Sequence, residues 1–142
     1  MKFKFIQSET EEIIAYGKEK NELISLIESI CIKDDINIIG YSKNQIKDLN
    51  SFQIECFYIE DEKVYANYLG TKYQIKKRLY ELKNSLNQNF IYINQSCIVN
   101  IDYIDHFEIT LATTLKVILK SGYTDYVSRR MVKQVKERIG IK

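Results

Sequence analysis

The stretch Phe90-Ile91-Tyr92-Ile93-Asn94-Gln95-Ser96-Cys97-Ile98-Val99-Asn100 reads as two short strands around a polar turn. β-branched and aromatic residues fill both arms, and Asn94, Gln95 and Ser96 supply the turn chemistry. Working back, Asn87-Gln88-Asn89 is a loop, and Ile75, Leu79, Leu82 and Leu86 recur at spacings of four, three and four. That spacing predicts one face of a short helix, with Lys76, Lys77, Arg78 and Lys83 elsewhere on it. Further back, residues 52–60, 63–69 and 72–75 read as strands, the last two joined by Leu69-Gly70-Thr71. Working forward, residues 103–109, 114–120 and 123–127 are β-prone, with Ser121-Gly122 as a hairpin turn. Ser128 is a candidate N-cap for a final helix that faces Val132, Val135 and Ile139 inward and Arg129, Arg130, Lys133, Lys136 and Arg138 largely outward. Residues 49–142 are therefore expected to form an α+β, predominantly β domain with short helices.

Residues 1–48 are expected to form a small mixed β-α-β unit. Residues 2–6 alternate, with Phe3 and Phe5 on one side, and residues 12–16 are another β-prone run. Leu23, Leu26, Ile27, Ile30 and Cys31 then make a helical stripe that starts at Asn21 or Lys20 and ends before Lys33-Asp34-Asp35. Residues 36–41 are continuously apolar, as in a strand buried on both faces. A unit this small buries little surface alone, so it is expected to dock on its own domain or on another copy.

The chain has 142 residues, 45% hydrophobic and 28% charged, without proline and without an apolar run long enough to cross a membrane. No apolar signal region develops before Gln7-Ser8-Glu9-Thr10, so a cytoplasmic location is expected. Cys31, Cys56 and Cys97 each sit in an apolar run and read as reduced core residues. His106 is the single histidine and has no Cys or His at metal-ligand spacing, so no metal is expected. No Gly-rich phosphate loop, nucleophile elbow or Cys–His pair is present, which argues against an enzyme, a cofactor and a small-molecule substrate. The net charge of +2 hides an asymmetry: residues 1–52 carry 7 Lys/Arg against 9 Asp/Glu, and residues 53–142 carry 14 against 10. Two basic clusters, 72–83 and 129–142, read from charge alone more readily as solvated helix faces than as phosphate-facing surfaces.

The order of elements over residues 52–140 resembles the LytTR family of bacterial DNA-binding domains. The strings that carry the resemblance are Phe57-Tyr58-Ile59-Glu60, Arg78-Leu79-Tyr80-Glu81-Leu82, the eleven residues from Phe90 to Asn100, Ile101-Asp102-Tyr103-Ile104, Lys120-Ser121-Gly122 and Val127-Ser128-Arg129-Arg130. The resemblance implies an elongated β-rich fold that presents loops, rather than a recognition helix, to successive major grooves of double-stranded DNA. Carried over by position, the contacting residues are Lys63 in the Glu62-Lys63 turn, Asn94, Gln95 and Ser96, and Arg129 and Arg130 at the start of the last helix. Arg can donate two bonds to guanine, and Gln or Asn can bridge adenine, whereas Lys63 suits a phosphate. Each has a structural alternative: strand-end amides satisfying a turn, a solvated hairpin lysine, or arginines decorating a helical turn.

Members of the family commonly carry Arg where this chain has Tyr92, His or Ser at Asn94, and a basic residue at Gln95. Positive charge is thus missing from the central loop, which lowers the expected affinity and its salt dependence. No receiver domain fits in the N-terminal part, so the layout resembles stand-alone regulators with a short N-terminal unit. By resemblance, the expected partners are repeated DNA half-sites, a second copy of the chain as a homodimer, and a small membrane protein. The alternative is an interaction module that keeps the fold with weakened DNA binding.

Overall fold

A computed structural model of the chain describes residues 14, 16–19, 21–33 and 37–140. Its first element is helix α1 (Glu22–Lys33), started by Asn21, whose Oδ1 accepts from Ile24 N at 3.0 Å. Strands β1 (Ile38–Tyr41), β2 (Ile46–Leu49), β3 (Ile54–Glu60), β4 (Lys63–Tyr68) and β5 (Thr71–Ile75) follow, then helix α2 (Leu79–Ser85). Strands β6 (Phe90–Asn94), β7 (Cys97–Asn100), β8 (Ile104–Ile109), β9 (Leu115–Leu119) and β10 (Thr124–Tyr126) lead to helix α3 (Val132–Ile139). The strands form a seven-stranded antiparallel sheet of order β2-β1-β5-β4-β3-β7-β6 and a three-stranded sheet of order β10-β9-β8.

The reason for two sheets lies in β3 and β7. Cys56, Phe57, Cys97, Ile98 and Val99 are all fully buried, and neighbours along a strand point to opposite faces. Phe57 and Ile98 join Phe90, Leu79, Leu82 and Leu86 in one apolar cluster beneath α2. Cys56, Cys97 and Val99 join Ile93, Val117, Leu119 and Val135 in a second cluster beneath the small sheet and α3. The rings of Tyr58 and Tyr123, tilted by 30° with 5.0 Å between centroids, help fasten the two sheets together.

Tight turns set the register. Asp61 and Glu62 between β3 and β4, and Leu69 and Gly70 between β4 and β5, all have positive φ, the backbone of two-residue hairpins whose twist matches the strands. At Gly40 the limit is space. A Cβ there would lie 2.7 Å from Leu49 Cδ1 and 2.9 Å from Tyr73 Cβ, so only glycine lets β1 lie this close to its neighbours.

Several local expectations need correction. Residues 51–53 form a 3₁₀ turn, with Asn50 Oδ1 accepting from Phe52 N at 3.0 Å, so the strand starts at Ile54. Ile75 ends β5 instead of opening a helix, and Lys76, Lys77 and Arg78 form the connector before α2. The strand over 38–41 alternates buried and half-buried residues, and strand β2 was not anticipated because its Lys47 and Asp48 break the apolar pattern. Ser128 does not cap the last helix: Met131 N donates to Ser128 O at 2.9 Å in a turn, and α3 begins at Val132. The strand expected over 2–6 and most of the run over 12–16 lie outside the described residues. Sheet pairing runs across the division expected at residues 48 and 49, since β2 pairs with β1 and β1 with β5.

The Cys56 and Cys97 thiols sit together in the second core, and both the Cys56 thiol and burial push the Cys97 thiol well above its usual range. Thiol titration with Ellman's reagent at pH 8 is expected to count at most one of three cysteines in the folded protein and all three in denaturant. Gly40→Ala is expected to lower stability by about 1–3 kcal/mol through overpacking, read as a lower urea midpoint at unchanged slope.

Candidate nucleic-acid interface

Three connections gather at one end of the large sheet. Lys63 is the first residue of β4, paired across the Asp61-Glu62 turn with Glu60. Next to it, Ile59 N donates to Ser96 O at 2.9 Å, which fixes the Gln95-Ser96 turn between β6 and β7 against β3. On the other side of that turn, Ser128 N donates to Ile93 O at 2.8 Å, which seats the segment bearing Arg129 and Arg130 beside β6. All six residues singled out in the sequence thus lie along one end, on connections whose bases are hydrogen-bonded to one another.

Their side chains are not equivalent. The Asn94 amide is held by the protein itself: its Nδ2 donates to Tyr126 O at 2.8 Å and its Oδ1 accepts from Ser96 N at 2.8 Å. Asn94 therefore shapes the turn and ties β6 to the end of β10. Gln95 and Ser96 are exposed, and the Gln95 side chain meets no partner among the described residues. Arg129 and Arg130 are exposed in the turn before α3, not on the helix, and neither pairs with a carboxylate among the described residues.

Charge around Lys63 is mixed, because Asp61 and Glu62 are exposed beside it. Glu60 is already engaged by Lys72, Nζ to Oε2 at 2.7 Å, and the same ammonium stands 4.1 Å from the Tyr65 ring centre. The basic cluster read at 72–83 thus splits: Lys72 is held within the fold, while Lys76, Lys77 and Arg78 are exposed. Spacing places these three around a helix, and the positions carried over from the family leave them out of the interface. Only strand register shows that they come out at the same end as Lys63.

His106 lies on β8, away from these turns, with Nδ1 2.6 Å from Asp105 Oδ2 and Nε2 3.0 Å from Glu108 Oε1. Both carboxylates favour the imidazolium, Glu108 most, so its pKa is raised above the usual 6.5. Because the folded value is the higher one, the small contribution to stability is present below pH 6.5 and fades as pH rises through the folded value. An NMR titration is expected to place the His106 midpoint above 6.5, and Glu108→Gln to lower it. Among the described residues no cluster of His, Cys, Asp and Glu is arranged to hold a metal ion.

Asn94→Ala removes two hydrogen bonds and leaves Tyr126 O and Ser96 N without their partner, so it is expected to cost about 1–3 kcal/mol in chemical denaturation. Gln95→Ala, with no bond to lose, is expected to stay within about 0.5 kcal/mol of wild type in the same assay.

Against known proteins, the chain matches the family model described as the LytTr DNA-binding domain over residues 41–140. Two relatives from Staphylococcus aureus, strains MRSA252 and NCTC 8325, described as uncharacterized HTH-type transcriptional regulators, are each 35% identical over 104 residues, 73% of this chain and 71% of theirs. A solved LytTr DNA-binding domain from Bacillus cereus superposes with a TM-score of 0.69 at 18% identity, covering 75% of this chain and 99% of that one. Despite the relatives' description, no described helix follows another without strands between, so the described residues contain no helix-turn-helix. The fold and the matched residues agree on a family of DNA-binding domains, not an enzyme class: the chain belongs to the LytTr DNA-binding domain family.

Proposed function

We propose that this chain is a cytoplasmic transcription regulator that binds double-stranded DNA sequence-specifically through the turns at one end of its large sheet. The observation that carries the reading is the gathering of Lys63, Gln95, Ser96, Arg129 and Arg130 on mutually bonded connections, with neither arginine paired with a carboxylate among the described residues. Arg130, and with it Arg129, is assigned to base edges in a major groove, where the planar fork bonds guanine twice. Gln95 reads a neighbouring base, Ser96 and Lys63 contact phosphate, and Asn94 positions the turn from behind. A homodimer on repeated half-sites would offset the uncharged central turn by doubling the contacts. Residues before β1, with Leu23 and Leu26 of α1 about half exposed, are the proposed docking unit for that second copy or for a small membrane protein.

A second reading has its own support. Tyr92 and Gln95 leave the middle of the interface uncharged, and Asp61 and Glu62 place carboxylates at its edge. An interaction module that keeps the fold while binding DNA weakly would tolerate both.

Selection of duplexes from a randomised pool by the full chain, followed by fluorescence anisotropy across a salt series, separates the two. The regulator reading expects one recovered sequence to bind at least about ten-fold tighter than its shuffled version. It also expects affinity to fall steeply with salt, and Arg130→Ala to erase most of the preference at a cost of about 1–3 kcal/mol. Equal, weak binding of both duplexes, unchanged by Arg130→Ala, would replace it with the interaction module.

A further inference from the structure

We propose that the connector Lys76-Lys77-Arg78 is an additional phosphate-binding element, which extends the DNA footprint outward past the Lys63 turn; this rests on the DNA-binding reading above. Register places it. Val64 is paired with Ile75, the last residue of β5, so Lys76 leaves that strand at the end where Lys63 enters β4, the end of the sheet that bears the other contacts. In the strand order β5-β4-β3-β7-β6 the connector is the outermost of the series, roughly 5 Å per strand from the next element. Arg129 and Arg130, beside β6, lie at the opposite limit of the same line.

The chemistry fits a polyanion better than it fits the fold. Lys63 and Lys76 both flank the last pair of the β4–β5 hairpin, Val64 with Ile75, so two like charges crowd the same strand end. Arg78 occupies the N-cap of α2 and makes no capping hydrogen bond, in a position where Ser, Thr, Asp or Asn would make one. Lys77 and Arg78 are exposed and meet no carboxylate among the described residues. Among the described residues Lys76 is held only over the Tyr41 ring, 4.2 Å from its centre, a contact that orients the ammonium without neutralising it. Residues that cost stability where they stand, and that aim charge at the same end, mark a site shaped by a partner.

There is also a deficit for them to fill. Asp61 and Glu62 make the Lys63 turn locally acidic, and Lys72 is already engaged with Glu60. Three cations on the adjacent strand end restore attraction where a phosphate backbone would pass. Lysines on flexible stems and an arginine beyond the reading turns contact phosphates and carry no base information, so they add affinity and salt dependence but no specificity.

The test uses the full chain and the selected duplex at 30 base pairs, with salt-dependent anisotropy and hydroxyl-radical footprinting. Lys77→Gln/Arg78→Gln is expected to reduce the slope of log K against log salt by about 1.8, to weaken binding about ten-fold or more at 0.15 M salt, and to lose protection at one outer flank. Its preference over the shuffled duplex should not change. The charge-matched control Lys43→Gln/Lys120→Gln, in the β1–β2 and β9–β10 turns, should keep the wild-type slope. Arg78→Ser supplies the missing cap, so it should raise Tm while weakening DNA binding, opposite shifts that a purely structural role does not produce. If wild type shows Arg130-dependent preference yet the connector variant keeps both slope and footprint, this proposal falls and the DNA-binding reading stands. No DNA binding by wild type at any salt would overturn both.

Discussion

Strand β7 and the first four residues of β3 have water on neither face, and the rest of the molecule is arranged to keep it so. Phe57 and Ile98 need α2 above them, while Cys56, Cys97 and Val99 need the three-stranded sheet and α3 below. Burying one such aromatic or aliphatic side chain contributes roughly 1.5–3 kcal/mol, so losing either cover would expose several such groups at once. The two layers are thereby locked to one pair of strands, and the turns at the strand ends inherit that rigidity. The proposed reading site on turns requires bases that do not move, and each base is hydrogen-bonded to a neighbouring strand.

Much of this was legible in the residues. The eleven residues from Phe90 to Asn100 spelled a hairpin because β-branched and aromatic residues stop abruptly at Asn-Gln-Ser, and the structure places β6 and β7 around that turn. The β4–β5 turn was equally clear, since Gly70 tolerates positive φ without strain. What failed was periodicity at junctions. Ile75 fell on the helical stripe by spacing but belongs to a strand, because sheet pairing with Val64 outweighs local period. Ser128 looked like a cap but lies one turn early, where backbone bonding to Ile93 fixes it. Strand β2 had no apolar alternation to announce it, being an edge strand with three of four residues exposed.

The candidate interface was legible in the same uneven way. Residue types and family positions picked out Arg129, Arg130, Gln95 and Lys63, and tertiary bonds bring them together. Sequence alone did not show that the Asn94 amide is consumed by Tyr126 O and Ser96 N, because both partners depend on how β10 meets β6. Nor did it show the connector beside Lys63: that adjacency is a fact of register, and register is set by turns and by which faces are buried.

The bonds from Ser128 N to Ile93 O and from Asn94 Nδ2 to Tyr126 O join positions more than thirty residues apart. During synthesis the hairpin of β6 and β7 therefore leaves the ribosome well before the strand and turn that complete the end of the sheet. Contacts so distant in sequence carry a loop-closure cost that local hairpins do not, so this corner closes late on the folding route. A chain caught before that step has its earlier strands but not the assembled sheet end proposed to read DNA, and on that reading its competence for DNA arrives with the last contacts to form.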